Sequence, residues 1–193
     1  MADPRDRAAP VDPASILGRA GRGSRESVRF VAVFGVLAVT LLGLYYFPYP
    51  EGSAVRGWLD AYLRGYAAVS GSILRWFDPT LLVQGQSLTG RFSLRIVKTC
   101  DAMDVQILFV SAVAAWPGPW VRRLVVGALG AAVILVANIV RICSLYFVGL
   151  YLPDWFEFAH VELWPAILLV LATGMFVALA VRDTRRYSPA TQS

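Results

Sequence analysis

The chain has 193 residues, 57% of them hydrophobic and only 16% charged, with a mean hydropathy of +0.57. Soluble domains are nearer half apolar and about a quarter charged, so an ordinary soluble globular protein is excluded and an integral membrane protein is implied. The net charge of +5 comes from 17 arginines and one lysine that flank apolar runs without forming a continuous basic face, which argues against nucleic acid as a partner and for membrane anchoring.

Residues 1–27 are rich in Arg, Pro, Asp, Ala and Gly and read as a disordered tail. Residues 28–47 supply the roughly 20 apolar residues that a membrane crossing needs. They end in Tyr45-Tyr46-Phe47-Pro48-Tyr49-Pro50, an aromatic interface belt followed by helix breakers, which marks an uncleaved span rather than a signal peptide. Over 54–77, Val55, Leu59, Tyr62, Tyr66, Val69, Ile73 and Trp76 recur at helical spacing, while Arg56, Asp60 and Arg64 form a polar stripe. That pattern predicts an amphipathic helix lying in the interface or against the bundle. Residues 79–99 hold short β-like runs separated by Gln84-Gly85-Gln86 and Thr89-Gly90-Arg91, and predict a small hairpin outside the membrane.

Residues 102–116 predict a second span, short and carrying Asp104 and Gln106, hence packed inside the bundle. Trp116-Pro117-Gly118-Pro119-Trp120 is a turn with aromatic anchors. The third span, 124–141, is uncharged up to Arg141 and contains the small-residue run Gly127-Ala128-Leu129-Gly130-Ala131-Ala132, which lets helices approach closely. Residues 142–152 stay apolar and read either as more helix or as a re-entrant segment. Residues 153–159 read as a loop, 161–181 as the fourth span and 187–193 as a second tail. The expected fold is therefore an all-α polytopic bundle of about four transmembrane helices, with an amphipathic helix and a small extracytoplasmic hairpin, forming one domain over 28–186. Arg19, Arg22, Arg25 and Arg29, then Arg122 and Arg123, then Arg182, Arg185 and Arg186 all fall on one side of such a bundle. The positive-inside rule makes that side cytoplasmic, with both termini there.

Cys100, Arg141 and His160 stand at the same edge of three successive apolar runs: before the second, closing the third and before the fourth. A chain that reverses at each span brings all three to one face, here the outer one, periplasm or cell exterior. Thiol, guanidinium and imidazole then supply a nucleophile, an oxyanion donor and a proton shuttle for acyl transfer. Singly, each has a plain explanation as a buried apolar thiol, a head-group anchor or an interface residue. Their coincidence on one face is what favours chemistry. Asn138 shares a helix face with Arg141 and is a candidate for orienting the guanidinium or holding a substrate carbonyl. Asp101 and Asp104, with Glu157 and Glu162, are candidates for orienting His160 or Arg141. Cys143 points away from Arg141 if the helix continues, which leaves Cys100 as nucleophile; a Cys100–Cys143 disulfide is the competing use of both thiols. One histidine and no CxxC pattern leave no metal site, and no cofactor is expected. Two other classes stay open: a non-catalytic membrane scaffold, and a small transporter with Arg141 and Asp104 along its path.

Cys100 opening a span, Asn138-Ile139-Val140-Arg141-Ile142 closing the next and His160 after a short loop resemble the exosortase/archaeosortase family over roughly residues 98–181. The short chain and Lys98-Thr99-Cys100-Asp101-Ala102-Met103-Asp104 are most similar to the exosortase H subtype. Asp101-Ala102 departs from the Ser/Ala-Gly pair usual after the family's cysteine. The resemblance implies a membrane-embedded cysteine transpeptidase that cleaves C-terminal sorting tails of exported proteins through a thioacyl-enzyme. It implies Cys100 as nucleophile, Arg141 as transition-state stabiliser and His160 as acid and base. The implied tail carries a short motif (IPTL-type for the H subtype), a hydrophobic helix and a basic end. Membrane lipids surround the enzyme, and the acceptor is open between water and an amine on a lipid or glycan.

Overall fold

In a computed structural model that describes residues 13–187, the chain opens with helix α1 (Pro13–Tyr46). Pro13 occupies the first turn, where its missing N–H is not needed, and no proline follows until Pro48. Residues 13–27, expected as disordered tail, are therefore helical. Residues 1–12 lie outside the described residues, as does the expected C-terminal tail beyond Tyr187. Arg25–Tyr46 is the part of α1 long and apolar enough to cross a membrane. Its lower half packs Phe30 against Trp116 and Phe176, and its last turn carries Tyr45 to the opposite end of the bundle.

Helix α2 (Ala54–Leu74) starts at Ser53, whose hydroxyl accepts the Arg56 N–H at 3.3 Å. It leaves Arg56 and Arg64 outward as expected and buries Leu59 and Tyr66, but its packed face is Leu63, Ala67 and Leu74 rather than Val55, Val69, Ile73 and Trp76, which are exposed, and it stops three residues short of the expected 77. The segment after it is a three-stranded antiparallel meander rather than a hairpin: β1 (Leu82–Gln84), β2 (Ser87–Thr89) and β3 (Ser93–Arg95), with Leu82 opposite Thr89 and Ser87 opposite Arg95. Leu81, Leu88 and Ile96, in and around the strands, share one buried core with Leu63, Leu74, Ile142 and Tyr146. Asp78 ties this sheet down. Its carboxylate accepts the Thr80 hydroxyl at 2.6 Å, the Thr80 N–H at 3.1 Å and the Arg91 N–H at 3.0 Å, together with the Tyr146 hydroxyl. These donors, Thr80 and Tyr146 foremost, hold the Asp78 carboxyl well below the usual aspartate range.

Helix α3 (Met103–Ala115) has 13 residues, about 20 Å at 1.5 Å per residue, against a hydrocarbon core of about 30 Å. It packs between α1, α4 (Trp120–Tyr151) and α6 (Trp164–Tyr187), burying Phe109 and Val113 against Ile134, Leu168 and Ala172. Among the described residues three helical stretches are long and apolar enough to cross: Arg25–Tyr46, Trp120–Tyr151 and Pro153–Asp183, with α3 as a shorter apolar fourth member. The protein is thus a helical membrane bundle with a small sheet.

One alternative left open is decided, and one expected loop does not form. Arg141 does not end α4, which runs on through 142–151, because the guanidinium is buried in protein rather than facing lipid. Residues 153–159, expected as a loop, are helical: a 3-10 turn at Pro153–Trp155, a single turn α5 (Phe156–Phe158), and a π-helical turn at Ala159–Leu163 that leads into α6. Pro153 starts that stretch, and no glycine interrupts it. At the far end of the bundle Asp183 pairs with Arg122 and accepts the Trp116 indole N–H at 3.0 Å.

Candidate active site

The 3-10 turn Lys98–Cys100, closed by a 2.8 Å bond from the Cys100 N–H to the Val97 carbonyl, delivers the thiol just ahead of α3. The Asp101 carboxylate accepts the Met103 N–H at 3.0 Å and so starts α3 with a local side-chain turn. Between them Ala102 adopts φ 57°, ψ 20°, the left-handed region that favours glycine.

His160 approaches from the π-helical turn, and its Nε2 lies 3.0 Å from the Cys100 Sγ, across 60 residues of sequence. Arg141, from the middle of α4, donates from Nη2 to the backbone carbonyl of His160 at 3.1 Å. Asn138, one turn earlier on the same face, donates from Nδ2 to the carbonyl of Cys100 at 3.0 Å. Cys100 is 7% exposed, Arg141 4% and Asn138 not at all. Arg141 makes no ion pair with a carboxylate among the described residues, and its buried Nε has no hydrogen-bond partner. A buried cation without a counter-charge is expensive to keep. A head-group anchor would snorkel to the surface instead. The geometry therefore offers a thiol against an imidazole, with an unspent guanidinium donor fixed to that histidine's own backbone.

The family model for transmembrane exosortase (Exosortase_EpsH) matches residues 28–178. The chain belongs to the transmembrane exosortase family. No curated protein and no solved structure matches it. The matched stretch runs from α1 into α6 and contains all of Cys100, Asn138, Arg141 and His160. As an exosortase-family member the protein is a multi-pass membrane protein of a sorting-related transpeptidase family.

The acidic residues of this exosortase do not take the places expected of them. Among the described residues, neither Asp101, Asp104, Glu157 nor Glu162 hydrogen-bonds to His160 or Arg141. Asp101 receives the Tyr45 hydroxyl and Asp104 receives the Tyr46 hydroxyl, at 2.7 and 2.9 Å to its two oxygens. Both carboxylates lie toward the last turn of α1, whose two tyrosines bring the nearest donors. Lys98 completes the joint, donating from Nζ to the Tyr45 carbonyl at 3.3 Å with its ammonium 5.3 Å from the Tyr45 ring centroid. Burial pushes the Asp101 carboxyl up, opposed by its bonds from Tyr45 and Met103. Asp101 and Asp104 thus fasten the loop that carries Cys100 to α1. Asn138 likewise holds the loop's carbonyl rather than the guanidinium.

His160 rests its ring against Phe156, with centroids 5.7 Å apart, in place of a carboxylate. Cys143 faces the Ser70 carbonyl at 4.0 Å, and both thiols are free, so no disulfide joins them. Tyr45 and Tyr46 are the site residues the sequence hides. Their one signal, a Tyr-Tyr pair ending an apolar run, reads equally as an interface belt.

Proposed function

We propose that this protein is a membrane-embedded cysteine protease/transpeptidase that cleaves C-terminal sorting tails from exported proteins, with its site at the periplasmic face of the inner membrane. The single observation that carries this reading is the 3.0 Å contact between Cys100 Sγ and His160 Nε2, with Arg141 held on the His160 carbonyl.

The Cys100 thiol gives its proton to His160 Nε2, and the sulfur attacks the scissile carbonyl carbon. A C–S bond forms, and the carbonyl electrons move to oxygen. Arg141 N–H groups stabilise that oxyanion; removing such a donor typically costs about 10²–10³ in rate. When the carbonyl re-forms, the C–N bond breaks, and His160 returns its proton to the departing amine. The tail leaves with a free amino terminus, and the cargo remains on Cys100 as a thioester. His160 next takes a proton from an incoming nucleophile, which attacks the thioester; the C–S bond breaks and the thiolate is restored. Water gives hydrolysis, and an amine gives transfer.

Asn138 and Asp101 fix the main chain on either side of the nucleophile, and Asp104 reinforces the joint to α1. The H-subtype resemblance implies an IPTL-type motif on the substrate, followed by a hydrophobic helix and a basic end. The arginines at 122, 123 and 182 stand at the bundle end opposite the site and favour a cytoplasmic location for that end.

The test is co-expression with a tailed cargo and intact-mass measurement of its C-terminus. Cys100→Ala is expected to abolish processing while the protein still accumulates in membranes, and Cys143→Ser to leave most of it. Normal processing by Cys100→Ala rejects the reading.

A further inference from the structure

At His160 the helix changes register. The Trp164 N–H donates to the carbonyl of Ala159, five residues back, instead of to His160, four back. The residue five on from His160 is Pro165, which has no N–H to give. Two features of the chain thus leave the His160 carbonyl without a backbone donor, and this is the carbonyl that accepts Arg141 Nη2 at 3.1 Å. The two features share one cause. In a regular α-helix the Pro165 ring would collide with the carbonyl of residue 161. Widening the turn to five residues relieves that collision and withdraws the Trp164 N–H from His160.

We propose that Pro165 is a positioning residue: by denying the helix an N–H and imposing the π turn, it keeps the His160 carbonyl open as the seat of the Arg141 guanidinium. The inference rests on the proposed roles of Cys100, Arg141 and His160. Its chemical consequence is that proton shuttle and oxyanion donor are fixed to one residue. The imidazole leaves His160 through its side chain, and the guanidinium is held on the same residue's main chain. Their separation is then set by one peptide unit rather than by how α4 and α6 slide. One nitrogen of the guanidinium fork is occupied by that bond, which leaves the rest of the fork's donors for the oxyanion.

Pro165→Ala supplies the missing N–H and allows a regular helix in which the main chain claims the His160 carbonyl. Product formation from a tailed substrate in proteoliposomes is expected to fall about tenfold to hundredfold, in kcat rather than KM, as for a misplaced catalytic group. Thermal stability is expected to hold or rise, because alanine suits a helix interior and proline does not. A loss of activity with a gain in stability is a split that a purely structural role does not produce. Pro165→Val keeps bulk close to that of the ring while supplying the N–H, and is expected to lose as much; it also carries the test if the alanine variant fails to fold. Combined with Arg141→Lys, Pro165→Ala is expected to add little further loss, because both act through the same guanidinium.

Wild-type turnover by Pro165→Ala overturns the inference. So does wild-type turnover by Pro165→Val alone, which would make ring packing the cause, or a double variant whose losses multiply. Cys100→Ala, measured alongside, separates the two levels. If it is inactive while Pro165→Ala is fully active, only the role of Pro165 falls; if it still forms product, the catalytic reading falls and this inference with it.

Discussion

Ala102 holds φ 57° between Cys100 and the first turn of α3, at the position where the family pattern usually has glycine. A left-handed conformation costs an L-residue about 1–2 kcal/mol, and glycine's extra freedom in the unfolded chain offsets about 0.5–1 kcal/mol of that. Ala102→Gly is therefore expected to raise stability by about 0.5–1 kcal/mol, seen as a higher midpoint of thermal unfolding in detergent. A lower midpoint would mean that the Ala102 methyl, buried in the bundle core, contributes more than its backbone costs. Cys100, Arg141 and His160 were legible in the sequence because three polar groups fall at the same edge of three successive apolar runs, although each alone has a plain explanation. Tyr45, Tyr46 and Pro165 were not. A tyrosine at a membrane edge satisfies the interface whether or not it bonds a carboxylate, and a proline near the start of an apolar run reads as a helix opener. Only the three-dimensional partner of each hydroxyl or carbonyl tells the cases apart.

The α3–α4 contact shows how a helix pair selects among its small residues. A Cβ on Gly130 would fall inside the edge of the Phe109 ring, whereas one on Gly127 would meet Val113 at an ordinary 4.0 Å. Gly130→Ala must push the helices apart or turn the ring, and is expected to destabilise by about 1–3 kcal/mol. Gly127→Ala is expected to be neutral or to stabilise by up to about 1 kcal/mol through helix propensity. Denaturant unfolding of the two variants in the same detergent checks this; equal effects would rule out the ring contact as the cause. The small-residue run marked this helix face, but composition alone does not say which glycine meets an aromatic ring. The third strand escaped for a related reason. Strands of three residues carry too little alternation to separate from turns, and here Asp78, bonded to Thr80, Arg91 and Tyr146, holds the sheet more than any β pattern does. The continuation of α4 past Arg141 was undecidable while the arginine's surroundings were unknown, since lipid would have ended the span there and protein did not.

On the scale of the whole molecule, polar joints close both ends of an apolar bundle. Trp116, Arg122 and Asp183 make one, and Cys100, Arg141 and His160 with the Tyr45–Asp101 and Tyr46–Asp104 pairs make the other. Arg122 and Arg141 lie on one unbroken helix, 19 residues apart, so the end that carries Arg141 stands about 28 Å from the basic end. That distance is close to one hydrocarbon thickness. It makes α4 a depth gauge. On the proposed function, a client whose own basic end is held at the far interface presents a peptide bond to Cys100 only when its greasy segment is of matching length. Cutting four residues from that segment draws the bond about 6 Å too deep, and processing is expected to fall at least tenfold; replacing residues at constant length should cost little. A ladder of cargo tails differing by one residue, read by mass, would show this as a sharp optimum, and a flat profile would reject it. Clients would then be sorted by tail length as well as by motif, and a soluble peptide bearing the motif alone, with nothing to set its height, should be turned over poorly.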